Sequence, residues 1–188
     1  MPLLTTIPNR VLTTITGAEI PVPDPNRLIH LQFRRFAGCP ICNLHLRTIT
    51  VRHQEIVDAG IREVVVFHSS ATELRKYSEG LPFELIADPQ RELYREFGVE
   101  SRPRALLDPR SWPAIVRGVL RDLRRVRRGE IPMPPSTPEG GRLGLPADFL
   151  IAPNGRVLAA KHGVHADDQW SVDDLLAHVP ADLNRARK

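Results

Sequence analysis

The chain reads as an α/β sandwich, on three observations. Strand-like apolar runs alternate with helical patterns from residue 28 to about residue 98, Asn154-Gly155 marks a late hairpin, and Ser171 opens a short closing helix. With 41% hydrophobic residues among 188, the composition suits one soluble domain, residues 1–188, with a sizeable core.

The elements follow in order. Val11 to Val22 reads as an N-terminal hairpin turning at Thr16-Gly17, and Leu28 to Phe33 as the next strand. A helix is expected from about Pro40 to Ala59, with proline at its first position, where no N–H is missed, and Gly60 at its end. Along it Cys42, Leu46, Ile49 and Ile56 share one face. This places Cys42 toward the core and leaves Cys39, at the cap, facing outward. Val64 to Phe67 is a continuous apolar run, as in a strand covered on both faces. Ser70 with Glu73 caps a helix stopping near Gly80, and Phe83 to Ala87 is a short strand. Asp88-Pro89 caps a helix running to Gly98. A helix over Ser111 to Gly129 belongs to an insertion of about 109–143. Asp148 to Ala152 and Arg156 to Ala160 flank the hairpin turn, and Ser171 with Asp174 caps Val172 to His178. The eighteen prolines gather near 21–25 and 132–138, taken as extended connections.

Chemistry concentrates in Cys39-Pro40-Ile41-Cys42, which holds the only two cysteines. Directly after a strand and at a helix N-terminus, the first thiol meets unsatisfied N–H groups and the positive end of the macrodipole. Both favour the thiolate, the nucleophilic form, so the position points to thiol redox chemistry. The blander alternative is a pair of inert buried thiols. Zinc needs four ligands as a rule, and no paired histidine spacing lies near the motif, so no metal is expected. His68 and His162 are candidates to sit near a thiolate, or to be ordinary structural residues.

The net charge of +4 traces largely to Arg117 to Arg128. In that helix Ile115, Val119, Leu123 and Val126 form one stripe, and arginines occupy much of the rest. A basic amphipathic helix can meet a membrane surface, an anionic substrate or nucleic acid. The expectation is plainer: the stripe packs on the domain and the basic face is solvated, with no membrane or nucleic-acid partner. No aromatic residues alternate with the arginines as stacking on single strands requires. No leader peptide or bilayer-length apolar segment is evident, and cytoplasmic location is the default. No phosphate loop or dinucleotide motif is present, and no organic cofactor is expected.

Three stretches carry a family resemblance: FRRFAGCPICNLHLRTI, LPFELIADPQRELYREFGV and GLPADFLIAPNGRVLAAKHG. In order, they resemble the peroxiredoxin-like branch of the AhpC/TSA (alkyl hydroperoxide reductase/thiol-specific antioxidant) superfamily. The resemblance implies a thioredoxin-like fold: a central mixed sheet flanked by helices, here with an N-terminal hairpin and the helical insertion. It implies Cys39 as the attacking cysteine and Cys42 as the resolving one. Pro146 falls where thioredoxins place a cis-proline facing the cysteine pair. The chain departs from typical peroxiredoxins at Gln32, in place of a proline, at Phe36, in place of threonine or serine, and at Ala147, in place of an arginine. Arg34 or Arg35 is then the candidate to supply the missing cation. With Phe36, Pro40 and Pro146 they make up the expected substrate-binding set.

The function this implies is antioxidant reduction of peroxides through a Cys39–Cys42 dithiol/disulfide cycle. The alternatives are a thioredoxin-like thiol–disulfide oxidoreductase and a non-catalytic partner-binding scaffold. The expected partners are a peroxide or disulfide substrate and a cellular thiol reductant of thioredoxin, glutaredoxin or low-molecular-weight type. A homodimer is left open.

Overall fold

The computed structural model describes residues 5–99, 107–138 and 141–181. The chain enters through a hairpin of β1 (Arg10–Thr13) and β2 (Glu19–Val22), paired antiparallel from Arg10 with Val22 to Thr13 with Glu19. Gly17 takes a left-handed φ of 89° at the turn, which glycine adopts without strain. Then come β3 (Leu28–Arg34), α1 (Pro40–Val51), α2 (His53–Asp58), β4 (Ile61–Phe67), α3 (Ala71–Arg75), β5 (Glu84–Ala87) and α4 (Glu92–Glu96). A 3-10 turn, Pro109–Ser111, leads into α5 (Trp112–Arg127), followed by β6 (Ala147–Ile151), β7 (Val157–His162) and α6 (Val172–Ala177).

Five strands form one mixed sheet in the order β5-β4-β3-β6-β7. β3, β4 and β5 run parallel, each joined to the next through helix, while β6 pairs antiparallel with both β3 and β7. Strands alternate their side chains between faces, so β3 serves two layers. Ile29, Leu31 and Phe33 enter a cluster with Val64, Val66, Tyr94, Phe97 and Phe149. Leu28 enters a cluster on the opposite face with Ile49, Ile56, Trp170 and Leu175.

Several boundaries differ from expectation for local reasons. The helix expected over Pro40 to Ala59 breaks at Arg52, which sits at φ −105°, ψ 17°. It is preceded by Thr48, Ile49, Thr50 and Val51, all β-branched. The hydroxyls of Thr48 and Thr50 bond back to the His45 and Leu46 carbonyls, a pattern that bends helices. Asp88 does cap α4, but across a turn: its carboxylate accepts from the N–H groups of Glu92, Leu93 and Tyr94, and Arg91 enters the helix at φ 57°. The Ser171–Asp174 capping box closes as expected.

The largest difference concerns α5. Of the stripe of Ile115, Val119, Leu123 and Val126, Ile115 packs against the cysteine cluster, but the closest packing is made by the adjacent face. Ala114, Gly118 and Asp122 face α1, while Val119 and Leu123 are exposed. A Cβ at Gly118 would lie 2.8 Å from the Pro40 carbonyl oxygen, so the two helix backbones approach as closely as glycine allows. Asn43 Nδ2 donates to Asp122 at 3.0 Å and fixes the register between them.

Candidate active site

The turn before α1 builds the site. Cys39 is the N-cap residue, Pro40 occupies the first helical position, and the Cys39 N–H donates to the Phe36 carbonyl at 3.1 Å. Gly38, at φ 77°, carries the ring of Tyr77 directly on its Cα; any Cβ there would lie 2.7 Å from the ring. The left-handed conformation and the ring together require glycine at this position.

Both cysteines are free thiols, and their sulfurs lie 2.6 Å apart. A disulfide would bring them to about 2.05 Å, with two electrons and two protons passing to an oxidant. Two donors meet there: the Cys42 N–H reaches Cys39 Sγ at 3.3 Å, and Arg35 Nη2 reaches the same sulfur at 2.9 Å. The other end of the Arg35 guanidinium donates to the Arg142 carbonyl at 3.1 Å, tying the cysteine loop to the segment entering β6.

Cys39 does not face outward. It is fully buried and Cys42 is 3% exposed, because Phe36, Ala37, Ile41, Ala114 and Ala166 close over the pair. Nor is Cys39 by itself the acidic thiol. Burial pushes its pKa up, and the neighbouring Cys42 sulfur adds to the rise. Burial also opposes ionisation of Cys42, but the Cys39 S–H and the Arg35 guanidinium outweigh it and bring Cys42 down to about 6. The pair therefore loses one proton readily and holds the second. Across 2.6 Å the remaining proton can move between the sulfurs, so the charge belongs to the pair and Cys39 can carry it.

The two candidate arginines have separate places. Arg34 does not reach the cysteines. It is fully buried between β3 and α1, where Nη2 donates to Asp148 at 2.6 Å and to Gln32 at 2.5 Å and approaches His45 Nε2 at 3.2 Å. Its guanidinium pairs with Asp148 and makes no hydrogen bond to either sulfur. Phe36 is buried beside the pair and lies 5.7 Å from the Arg35 guanidinium. Pro40 is half-buried under α5. At Pro146, which aligns with the cis-proline of thioredoxins, the Leu145–Pro146 bond is trans, and the ring packs against Gly163 at the end of β7. His68 is buried with its ring edge-on to Tyr94, and its backbone N–H donates to the Arg35 carbonyl at 3.2 Å. His162 lies elsewhere, against Phe149 and the Phe97 carbonyl.

Behind the cysteines lies a buried polar network. His30 Nδ1 contacts Glu63 at 3.0 Å and Nε2 contacts Asp148 at 3.2 Å, while Gln32 donates to Glu63. The pairings follow the sheet register, which sets His30 beside Glu63 and Gln32 beside Asp148. Burial works against the His30 charge, but the two carboxylates raise its pKa to about 9. Burial likewise opposes ionisation of Asp148, and Arg34 and His30 hold it well below the usual carboxylate range. Two cations thus balance two anions, and Arg34 adds to the field that lowers Cys42. The only signal was polar residues at alternate positions 30, 32 and 34 of an otherwise apolar strand. Among the described residues no cluster of His, Cys, Asp or Glu has the arrangement of a metal site.

A cleft of about 220 Å³ opens next to the cysteine loop, lined by Ala37, Ser69 and Glu73 on one side and Pro135, Thr137 and Pro138 on the other. The segment after α5 thus forms one wall beside the site.

A family model for the AhpC/TSA antioxidant enzymes matches residues 48–164. The match begins beyond both cysteines, so their roles rest on the geometry above. A search of curated proteins found no significant match. Among solved structures, peroxidoxin BcpB from Mycobacterium tuberculosis is 16% identical, with TM-score 0.60 over 97% of this chain and 96% of that one. Peroxiredoxin 6 of Arenicola marina is 15% identical, with TM-score 0.64 over 94% of this chain and 70% of that one. A Chlorobium tepidum protein assigned as the thiol:disulfide interchange protein DsbE is 18% identical, with TM-score 0.58 over 94% and 96%. At these identities the likeness is one of fold, the thioredoxin-like fold.

Proposed function

The chain belongs to the AhpC/TSA antioxidant-enzyme family, and on that premise we propose that it reduces peroxides through a Cys39–Cys42 dithiol/disulfide cycle. The observation that carries the reading is a fully buried Cys39 sulfur held 2.9 Å from the Arg35 guanidinium. A buried nucleophile selects a small substrate, and a fixed cation stabilises charge as it develops on the leaving oxygen.

In the proposed cycle the Cys39 thiolate attacks one peroxide oxygen, and the O–O bond breaks. The sulfur is oxidised to a sulfenic acid, and the other oxygen leaves as alkoxide or hydroxide and takes a proton from solvent. The Cys42 thiol then displaces hydroxide from the Cys39 sulfur, forming the disulfide and water. A thiol reductant supplies two electrons and two protons to reopen it.

One observation favours thiol–disulfide exchange instead: Phe36 offers no hydroxyl beside Cys39 to orient a peroxide. Stopped-flow and mass-spectrometric titration of the reduced protein separates the two. Hydrogen peroxide and an organic hydroperoxide are compared with a small protein disulfide, using Cys39→Ser and Cys42→Ser as controls. Stoichiometric peroxide consumption, with sulfenic acid trapped on Cys39 only in Cys42→Ser, is expected. Rapid exchange with the disulfide and slow peroxide reaction would replace this reading, and inertness to both would leave a partner-binding scaffold.

A further inference from the structure

Helix α5 turns most of its large apolar side chains away from the protein, Ile115 alone packing against the cysteine cluster. Its inward positions are small or polar: Ala114, Gly118 and Asp122 lie toward α1. Trp112, Val116, Val119, Leu120 and Leu123 are each between 36% and 57% exposed. At 3.6 residues per turn these five fall within an arc of about 100°, on the side away from the packed stripe. Scattered exposed apolar residues are ordinary, but five on one face of one helix form a patch.

Arginines border that patch. Residues 108–130 hold seven arginines against Asp108, Asp122 and Glu130, a net +4 that equals the charge of the whole chain. Asp122 is turned inward onto Asn43, Glu130 pairs with Arg125 and Arg128, and Asp108 lies 3.9 Å from Arg110, which leaves the outer charge on Arg117, Arg124 and Arg127. Among the described residues Arg124 and Arg127 have no acceptor within hydrogen-bonding distance, and both are exposed. Low mean hydropathy, strong segregation, an arginine border and a tryptophan on the apolar side are together the pattern of a helix lying in a membrane interface.

We propose that α5 docks on an anionic lipid bilayer. Trp112 and the aliphatic residues enter the headgroup–acyl boundary, while Arg117, Arg124, Arg127 and Arg128 engage lipid phosphates. Arginine suits this edge because its stem lies along apolar surface while the guanidinium reaches headgroup oxygens. The helix lies on the membrane and does not cross it: no helix among the described residues is long and apolar enough to span. Charge complementarity selects this occupant. A second copy would bring two net-basic faces together, and a neutral groove would leave the arginines unpaired.

The test uses the full chain and vesicles of phosphatidylcholine alone or with phosphatidylglycerol. Trp112 and the buried Trp170 are the only tryptophans, so a blue shift of emission on vesicle addition reports α5. The expected result is co-sedimentation with phosphatidylglycerol vesicles, a blue shift lost in Trp112→Phe, and release at high salt. Phosphatidylcholine alone should bind weakly or not at all. Arg124→Glu combined with Arg127→Glu should weaken partitioning at least about tenfold. Leu120→Glu should weaken it too, both variants keeping wild-type circular dichroism and Trp170 emission. Failure to bind anionic vesicles, equal binding to both compositions, or unchanged binding by the arginine variant would overturn the proposal. A Trp112 blue shift that grows with protein concentration without lipid, together with a dimer mass, would also overturn it and assign the face to a second copy.

Discussion

Arg35 Nη2 lies 2.9 Å from Cys39 Sγ, and the same guanidinium holds the Arg142 carbonyl at 3.1 Å. One side chain thus supplies the cation at the sulfurs and fastens the segment before β6 over them. Burial alone would hold both thiols protonated; Arg35 is the strongest cationic influence on each of them. The reactivity of a site this dry therefore depends on that residue.

Replacing Arg35 tests this directly. Alkylation of the reduced wild type by iodoacetamide should rise with pH through about 6, where Cys42 ionises. In Arg35→Met the midpoint should move up by about 1 to 3 pH units, the range expected when a close opposite charge is lost. An unchanged midpoint would show that the helix N-terminus, and not Arg35, sets the acidity of the pair.

How much of this could be read from the sequence depended on the reach of each interaction. The cysteine pair at a strand–helix junction is local, and so are the Ser171–Asp174 box and the Asn154-Gly155 turn. The His30–Glu63–Asp148–Arg34 network was not legible, because its partners lie 33 to 118 residues apart and meet only through sheet register. Leu28 to Phe33 therefore reads as simply apolar, and Arg34 and Arg35 read alike as cations beside the cysteines. In α5 the amphipathic pattern was plain, but not which side was buried. An apolar stripe ordinarily faces the core, yet Ala114 and Gly118 let α1 approach beside it and leave Val119 and Leu123 of that stripe exposed.

The network should be costly to break from one side and cheaper to remove whole. Arg34→Met leaves the Asp148 charge buried with only His30 opposing it, a loss of about 3–5 kcal/mol for an orphaned buried ion. Urea unfolding should show this as a lowered midpoint. The double variant Arg34→Met/Asp148→Leu should be less destabilised than the two single effects added together. Additive losses would mean that the pair is not coupled energetically.

His30 makes the network sensitive to pH. Its pKa is raised from 6.5 to about 9 in the folded protein, so its stabilisation is full below 6.5 and is lost as pH rises through 9. For a shift of that size the loss is about 3 kcal/mol. Cys42, lowered from 9.0 to about 6, works oppositely across the same window: its contribution is present above 9 and lost as pH falls through 6. The Cys42→Ser variant removes that opposing effect. Its unfolding free energy should decline between pH 6.5 and 9, and the decline should vanish when His30→Gln is added.

The contact between Gly118 and Pro40 ties the cover of the active site to the packing of α5. In Gly118→Ala the new methyl would stand 2.8 Å from the Pro40 carbonyl oxygen and 2.9 Å from its carbon. These are backbone atoms at the first turn of α1, so they cannot swing aside, and α5 must move. Alanine improves helix propensity by about 1 kcal/mol over glycine, while overpacking costs about 1–3 kcal/mol, so net destabilisation is expected. Ala114, one turn earlier on the same face, belongs to the cluster that buries Cys39. Lifting α5 should therefore expose the sulfur. The variant should show a lower urea midpoint together with faster alkylation of Cys39, measured at a pH where the pair is ionised in both proteins. Slower unfolding, or an alkylation rate unchanged while stability falls, would show that α5 does not gate access to Cys39.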